Sequence, residues 1–99
     1  MYSTLDHVCV SETDETITFH VNGSISYNDW KTFHETCIKA NSTPKHVRIE
    51  LNCLVDSITI GTIIRAQDET TDKMSIKANS ESAKNIICMI QLDKIFIIE

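Results

Sequence analysis

Residues 47–65 read VRIELNCLVDSITIGTIIR. This stretch contains both the two-residue period of a strand and a helical period of about 3.6 residues, as expected of a fold that combines strands and helices. Apolar and polar side chains alternate over its first six residues, which is the two-residue period of a strand with one wet face. Beyond Asp56 and Ser57 the isoleucines recur at helical spacing, so a polar pair stands where a strand passes into a helix. The stretch predicts a strand, a junction and a helix from about Ile58.

The residues before this stretch predict a hairpin and a first helix. The apolar stretch Leu5–Val10 and the alternating residues 17–22 are typical of two strands, separated by a polar turn at residues 11–15. Ser26, with Asp29 three residues on, resembles an N-cap in a loose capping box. A stripe of apolar residues at spacings of three and four follows, and it ends near Asn41. Its members are Tyr27, Trp30, Phe33, Cys37 and Ala40.

The residues after it predict two more strands and a third helix. Met74 and Ile76 indicate a strand, Asn79 or Ser80 can cap a helix, and the chain ends in the apolar run Ile95–Ile98. Helices that alternate with strands predict parallel pairs joined by right-handed crossovers. We therefore expect a single α/β domain over residues 1–99, with a mixed sheet of about five strands. Three or more helices should lie mainly on one face, because the strands carry polar residues at alternate positions.

Composition excludes several classes of function. The formal net charge of -5 has the wrong sign for a protein that binds a phosphate backbone, so no nucleic acid is expected as a partner. Two glycines cannot form a Walker loop or a dinucleotide fingerprint, and no cofactor is predicted. No apolar run approaches the roughly 18 residues that a membrane span requires. The stretch MYSTLDHVCV lacks the basic and long apolar regions of a signal peptide, so none is expected. These features predict a cytoplasmic protein without direct membrane insertion.

Cysteine and histidine spacing predicts neither a metal site nor a cysteine enzyme. The four cysteines form no CxxC pair and are expected to be buried free thiols. His34 and Cys37 could lie on one face of a helix, and His7 and Cys9 on one face of a strand. The usual spacing of zinc ligands does not repeat along the chain, so no metal is predicted. No cysteine is paired with a plausible base, so the protein is not expected to be an enzyme.

Two further groups of residues have structural interpretations. Trp30 is expected in the core, although a partly exposed tryptophan would make an interface anchor. His20 is expected on the polar face of the sheet beside Arg48 and Glu50, as part of a solvated surface and not of a catalytic cluster.

Three segments in order resemble the STAS domain of anti-sigma factor antagonists, over nearly the whole chain. Gly23-Ser24-Ile25-Ser26 is similar to the family's segment before the first helix. Residues 47–65 resemble its strand, its Asp-Ser loop and the helix that follows, and residues 78–99 resemble its last helix and strand. The resemblance implies an α/β module that acts as a switch and not as an enzyme.

The resemblance also implies a site at the start of the second helix. Asp56 matches the family's aspartate, Ser57 its first hydroxyl residue and Gly61 the final glycine of the D-S-(S/T/A)-G-L-G pattern. Ile58 replaces the second hydroxyl residue and Thr59 replaces the first glycine, so the pattern is incomplete. Ser57 is the implied phosphoacceptor and Thr59 the less favoured one, and all five residues are the implied partner-docking site.

The implied partners are a serine kinase or anti-sigma factor of the histidine-kinase-like ATPase class and a serine phosphatase. The departures at Ile58 and Thr59 favour an alternative, a constitutive STAS adaptor subunit of a membrane-associated transporter complex. Asp56 and Ser57 can also be plain capping residues. The Thr59 side chain is expected to face solvent, and Gly61, which costs about 1 kcal/mol in a helix, is expected at a close backbone approach.

Overall fold

A computed structural model describes residues 7–26, 28–53, 56–70 and 72–99, which form one five-stranded sheet and three α-helices. The predicted α/β class is confirmed. In chain order the elements are β1 (Val8–Glu12), β2 (Thr16–Val21), α1 (Trp30–Asn41), β3 (His46–Leu51), α2 (Ser57–Asp68), β4 (Ser75–Ala78), α3 (Glu81–Met89), a 3-10 turn (Leu92–Lys94) and β5 (Ile97–Ile98).

The strands lie side by side in chain order, and this order determines the face of the sheet on which the helices pack. β1 is antiparallel to β2, and each later strand is parallel to the one before it. Three right-handed crossovers that advance in one direction place their helices on the same face of the sheet. None of the described helices is long and apolar enough to cross a bilayer.

One hydrophobic core lies between that face and the helices. The alternation predicted for β2 and β3 is confirmed, because Ile17, Phe19 and Val21 are buried on β2, as are Val47, Ile49 and Leu51 on β3. The helices contribute to the same cluster. Their buried apolar residues are Phe33, Cys37 and Ala40 on α1, Ile60, Ile63 and Ala66 on α2, and Ala83 and Ile87 on α3.

Strand β1 ends later than predicted. The first residues of the predicted strand Leu5–Val10 lie outside the described part of the chain. Ser11 and Glu12, predicted as turn residues, continue the antiparallel pairing with β2. The turn is closed by the Thr13 N–H, which donates to the Thr16 carbonyl at 2.8 Å. The prediction is wrong here because a strand with one open face accepts polar residues as readily as a turn does.

Helix α1 begins later than predicted. Asp29 is its N-cap residue and Trp30 its first residue, so the predicted cap at Ser26 is wrong. The Ser26 hydroxyl does donate to the Asp29 carboxylate at 3.0 Å, but this contact precedes the helix. Tyr27, predicted as the first residue of the apolar stripe, lies outside the described residues. The helix ends at Asn41, as predicted.

The last strand is shorter than the predicted Ile95–Ile98. The N–H groups of Ile95 and Phe96 both donate to the Leu92 carbonyl, at 2.9 and 2.8 Å, so these residues belong to a turn. Leu92 and Phe96 are buried in the core. A four-residue apolar run does not show whether its first half pairs with a strand or fills the core from a turn.

The cysteines are free thiols, but only one of them is buried. Cys37 lies in the core, Cys53 is half-buried, and Cys9 and Cys88 are exposed, so the prediction of four buried thiols is wrong. Burial raises the pKa of the Cys37 thiol. Burial, and secondly the charge of Asp56, raises the pKa of Cys53. Both thiols are therefore poor nucleophiles.

Candidate docking surface at the start of helix α2

Asp56 begins helix α2 by capping it. Its backbone is extended, and its carboxylate accepts a hydrogen bond from the Thr59 N–H at 2.8 Å. The capping role considered from the sequence is thus confirmed. The helix starts at Ser57, one residue earlier than predicted, because this cap satisfies an otherwise free N–H group of the first turn.

Asp56 keeps its negative charge at neutral pH. The Thr59 N–H is the main cause of its lowered pKa. Burial opposes it less strongly, and the hydroxyl groups of Thr59 and Ser24 lower the pKa by still smaller amounts. Because the pKa of Asp56 is lower in the folded than in the unfolded protein, the ionised carboxylate stabilises the fold at pH values above the ordinary pKa of a carboxyl group. That stabilisation is lost as the pH falls through the lowered pKa.

Thr59 faces the interior, and the expectation that its side chain points to solvent is wrong. It has 0% exposure. Its hydroxyl accepts a hydrogen bond from the Ile25 N–H at 3.0 Å and also bonds to Asp56. Thr59 therefore ties the Gly23–Ser26 segment to the start of α2. Two of the segments that carry the family resemblance meet at this residue.

Ser57 is exposed at the first position of α2. Within the described part of the chain its hydroxyl has no hydrogen-bond partner. It lies where the free N–H groups of the helix create a partial positive charge. The hydroxyl is thus accessible to an enzyme, in a position that stabilises added negative charge.

Two grooves lie on either side of Ser57 and share it. The α1–α2 groove is lined by Trp30, Ser57, Ile58, Gly61, Thr62, Ile64, Arg65 and Asp68. The α2–α3 groove is lined by Asp56, Ser57, Ile60, Gly61, Ile86 and Ile90. Two apolar side chains are notably open to solvent here, Ile58 with 45% exposure and Ile90 with 43%. Each of these isoleucines adds exposed apolar surface beside one of the two grooves.

Gly61 is open to solvent between the two grooves. A Cβ atom built on it would meet no atom within 4 Å, so the predicted close approach within the chain is wrong. Ser57 lies one helical turn before it and therefore on the same side of α2. The missing side chain leaves a gap next to the Ser57 hydroxyl.

Gly61→Ala is expected to raise the free energy of unfolding by up to about 1 kcal/mol, because alanine has the higher helix propensity and meets no obstacle here. Chemical denaturation measures the change. Gly23→Ala is the matched control, since a Cβ atom there would lie 2.8 Å from the Cγ atom of His7 and should destabilise the protein. A loss of stability in Gly61→Ala would show that this part of α2 is more crowded than the structure indicates.

Trp30 forms a wall of the α1–α2 groove and is only half-buried. It packs against the core, and the guanidinium carbon of Arg65 lies 5.2 Å from the ring centroid. The next turn of α1 is tied to α2 by a side-chain contact between His34 and Glu69. These contacts hold the two walls of the groove together. The sequence prediction of a core residue is therefore correct for only part of the ring.

The contribution of α3 to this surface was not predicted from the sequence. Ile86 and Ile90 recur with Ala83 and Ile87 at helical spacing, so all four belong to one apolar stripe. In the structure Ile87 fills the core, whereas Ile86 is half-buried and Ile90 exposed. Periodicity identifies an apolar stripe, but it does not show which edge of the stripe remains uncovered.

No family model and no curated protein matches the chain. Among the described residues no group of three His, Cys, Asp or Glu side chains is placed to hold a metal ion. Of the predicted site residues, Asp56, Ser57, Ile58 and Gly61 are together at the surface, and Thr59 lies beneath them. The arrangement offers an accessible hydroxyl, a fixed carboxylate and apolar walls.

Proposed function

We propose that this protein is a phosphorylation-controlled interaction module of the STAS class, an anti-sigma factor antagonist that acts by partner switching. The observation that carries the proposal is the position of Ser57, an exposed hydroxyl at the positive end of α2 between two apolar grooves. The family resemblance at residues 23–26, 47–65 and 78–99 supports the same function.

Phosphorylation of Ser57 would change docking without unfolding the protein. It adds a charge of about -1.5 to -2 and three strong acceptor oxygens. The N-terminus of α2 tolerates that charge, because its free N–H groups and dipole favour anions. Ionised Asp56 lies directly beside it, so the modified surface becomes strongly negative while the cap and the core remain in place. A partner that fits neutral Ser57 is then excluded by charge and by size.

The grooves indicate how a partner would bind. Ile58 and Ile90 give it two exposed apolar contacts on opposite sides of Ser57, and Gly61 lets its surface come close to α2. The partner we propose is a serine kinase or anti-sigma factor of the histidine-kinase-like ATPase class, with a serine phosphatase that restores binding. Both would be met in the cytoplasm.

A constitutive adaptor subunit of a membrane-associated transporter complex is the second candidate. One observation favours it. Ile58 is an apolar side chain at the family's second hydroxyl position, which is the phosphoacceptor in some members, and the Thr59 hydroxyl is buried and hydrogen-bonded. Of the three matched positions 57–59, only Ser57 then has a hydroxyl open to a kinase. An adaptor would use the same grooves without modification.

Phosphotransfer separates the two functions. The protein is incubated with ATP and the histidine-kinase-like ATPase encoded nearest to it, and the modified residue is identified by mass spectrometry. We expect one phosphate, on Ser57, and none on the Ser57→Ala variant. The absence of phosphoserine from the wild-type protein would reject the switch and favour the adaptor.

A further inference from the structure

The open face of the sheet carries a row of interacting polar side chains from three strands and from the residue that follows a fourth. Ser11 Oγ on β1 lies 2.8 Å from His20 Nε2 on β2, and His20 Nδ1 lies 3.6 Å from Glu50 Oε2 on β3. Asn79, directly after β4, donates from Nδ2 to the other Glu50 oxygen at 2.8 Å. The strand register creates this row, because His20 lies opposite Glu50 and diagonally across from Ser11.

The row constrains the orientation of the His20 imidazole. The Glu50 carboxylate beside Nδ1 favours the tautomer that carries its proton there, so Nε2 presents a lone pair to the Ser11 hydroxyl. The distance of 2.8 Å lies within the range found for a serine nucleophile and its base. The 3.6 Å contact with Glu50 is electrostatic and too long for a hydrogen bond. Such contacts are often long before a substrate binds.

We propose that Ser11 is a nucleophile, with His20 as its general base and Glu50 as the orienting carboxylate, and that it accepts acyl groups from activated esters. Nucleophile, base and carboxylate have the roles of a catalytic triad, which is defined by geometry and not by the order of its residues. This activity is independent of the proposed docking function of α2.

The reaction uses only an ester and water. Ser11 Oγ forms a bond to the acyl carbon while His20 Nε2 takes the hydroxyl proton. The ester C–O bond breaks, and the leaving alcohol takes that proton from His20. Water then attacks the acyl carbon and gives a proton to His20, which returns it to Ser11 Oγ as the carboxylic acid leaves.

The open position of Ser11 limits the range of substrates. General-base catalysis by a positioned side chain typically contributes a factor of about 10² to 10⁴. The helices pack on the opposite face of the sheet, so the site is wet and relies on the base alone. An acyl donor must therefore have a good leaving group, as in an aryl ester.

Reactivity toward a fluorophosphonate probe tests the proposal, with peptide mapping by mass spectrometry. Ser26 in the same protein is the matched control, because its hydroxyl is exposed and donates to the Asp29 carboxylate at 3.0 Å without an imidazole. We expect Ser11 to react about 100-fold faster than Ser26. His20→Gln should reduce this rate to that of Ser26, and Glu50→Gln should lower it as well. Circular dichroism should give the wild-type spectrum for both variants, which checks that they fold.

Hydrolysis of p-nitrophenyl acetate gives a second measurement. We expect wild-type protein to release p-nitrophenol faster than Ser11→Ala does, and acetyl-Ser11 to be detectable by mass spectrometry. The proposal is overturned if Ser11 reacts no faster than Ser26 with the probe, if His20→Gln leaves its rate unchanged, or if the acetyl group is carried by Cys9.

Discussion

Ser57→Asp is expected to weaken binding of the partner kinase by about 100-fold or more, whereas Ser57→Ala should bind as the wild-type protein does. In the proposed switch, a carboxylate at this position would lie beside ionised Asp56 and would face a partner surface that fits a neutral hydroxyl. An unpaired like charge in an interface costs several kcal/mol, and each 1.4 kcal/mol corresponds to about a factor of ten in affinity. Isothermal titration calorimetry measures both variants.

A matched control tests whether the effect depends on where the negative charge is introduced or only on its being added to the protein. Ser82 is the second residue of α3 and lines neither of the two grooves. Ser82→Asp therefore adds the same charge to the first turn of another helix and should bind normally. Thermal unfolding of Ser57→Asp should remain close to that of the wild-type protein, because an acidic residue at a helix N-terminus is favourable. Equal affinities of Ser57→Asp and Ser57→Ala would contradict the proposed switch.

Thr59→Val is expected to lower the free energy of unfolding by about 1–3 kcal/mol. Valine has nearly the same shape, but it leaves the Ile25 N–H, a buried donor, without its acceptor. It also removes one of the groups that lower the pKa of Asp56. The pKa of Asp56 in the folded variant should then be closer to its ordinary value. Urea denaturation at neutral and at acid pH measures both effects.

The pH dependence has a definite sign. In the wild-type protein the stabilisation by ionised Asp56 is lost as the pH falls through its lowered pKa. In Thr59→Val this contribution should be smaller and should be lost at a higher pH. Stability in acid should therefore differ less between the two proteins than stability at neutral pH.

Thr62→Val is the matched control for this substitution. Thr62 is buried on the same helix, and its hydroxyl donates to the Ile58 carbonyl at 2.8 Å, an oxygen within the hydrogen-bonding pattern of the helix itself. Removing that hydroxyl leaves no buried donor unpaired, so we expect a loss below about 1 kcal/mol. If Thr59→Val lowers the free energy of unfolding no more than Thr62→Val does, the hydrogen bond from Ile25 is not what joins the Gly23–Ser26 segment to α2.

The order of the elements could be predicted from local patterns. Alternation at Val47, Ile49 and Leu51 marks the face of β3 that enters the core, and the helical period of α2 and α3 marks their buried stripes. These signals are strong because a one-residue shift would move every apolar side chain of a strand to the wrong face. The extent of β5 could not be predicted in this way, because it depends on pairing with β4, which lies more than 15 residues earlier in the chain.

The sequence by itself determined the fold class, the strand faces and the polar junction at Asp56 and Ser57, since each follows from the spacing of neighbouring residues. Only the tertiary structure decided that Thr59 is buried under the junction and that Gly61 is open above it. Only the tertiary structure placed Ile90 of α3 beside Ser57. The physical reason is that a repeat along the chain shows which side chains share a face, whereas the packing of helices against one sheet decides which part of each face remains exposed to solvent.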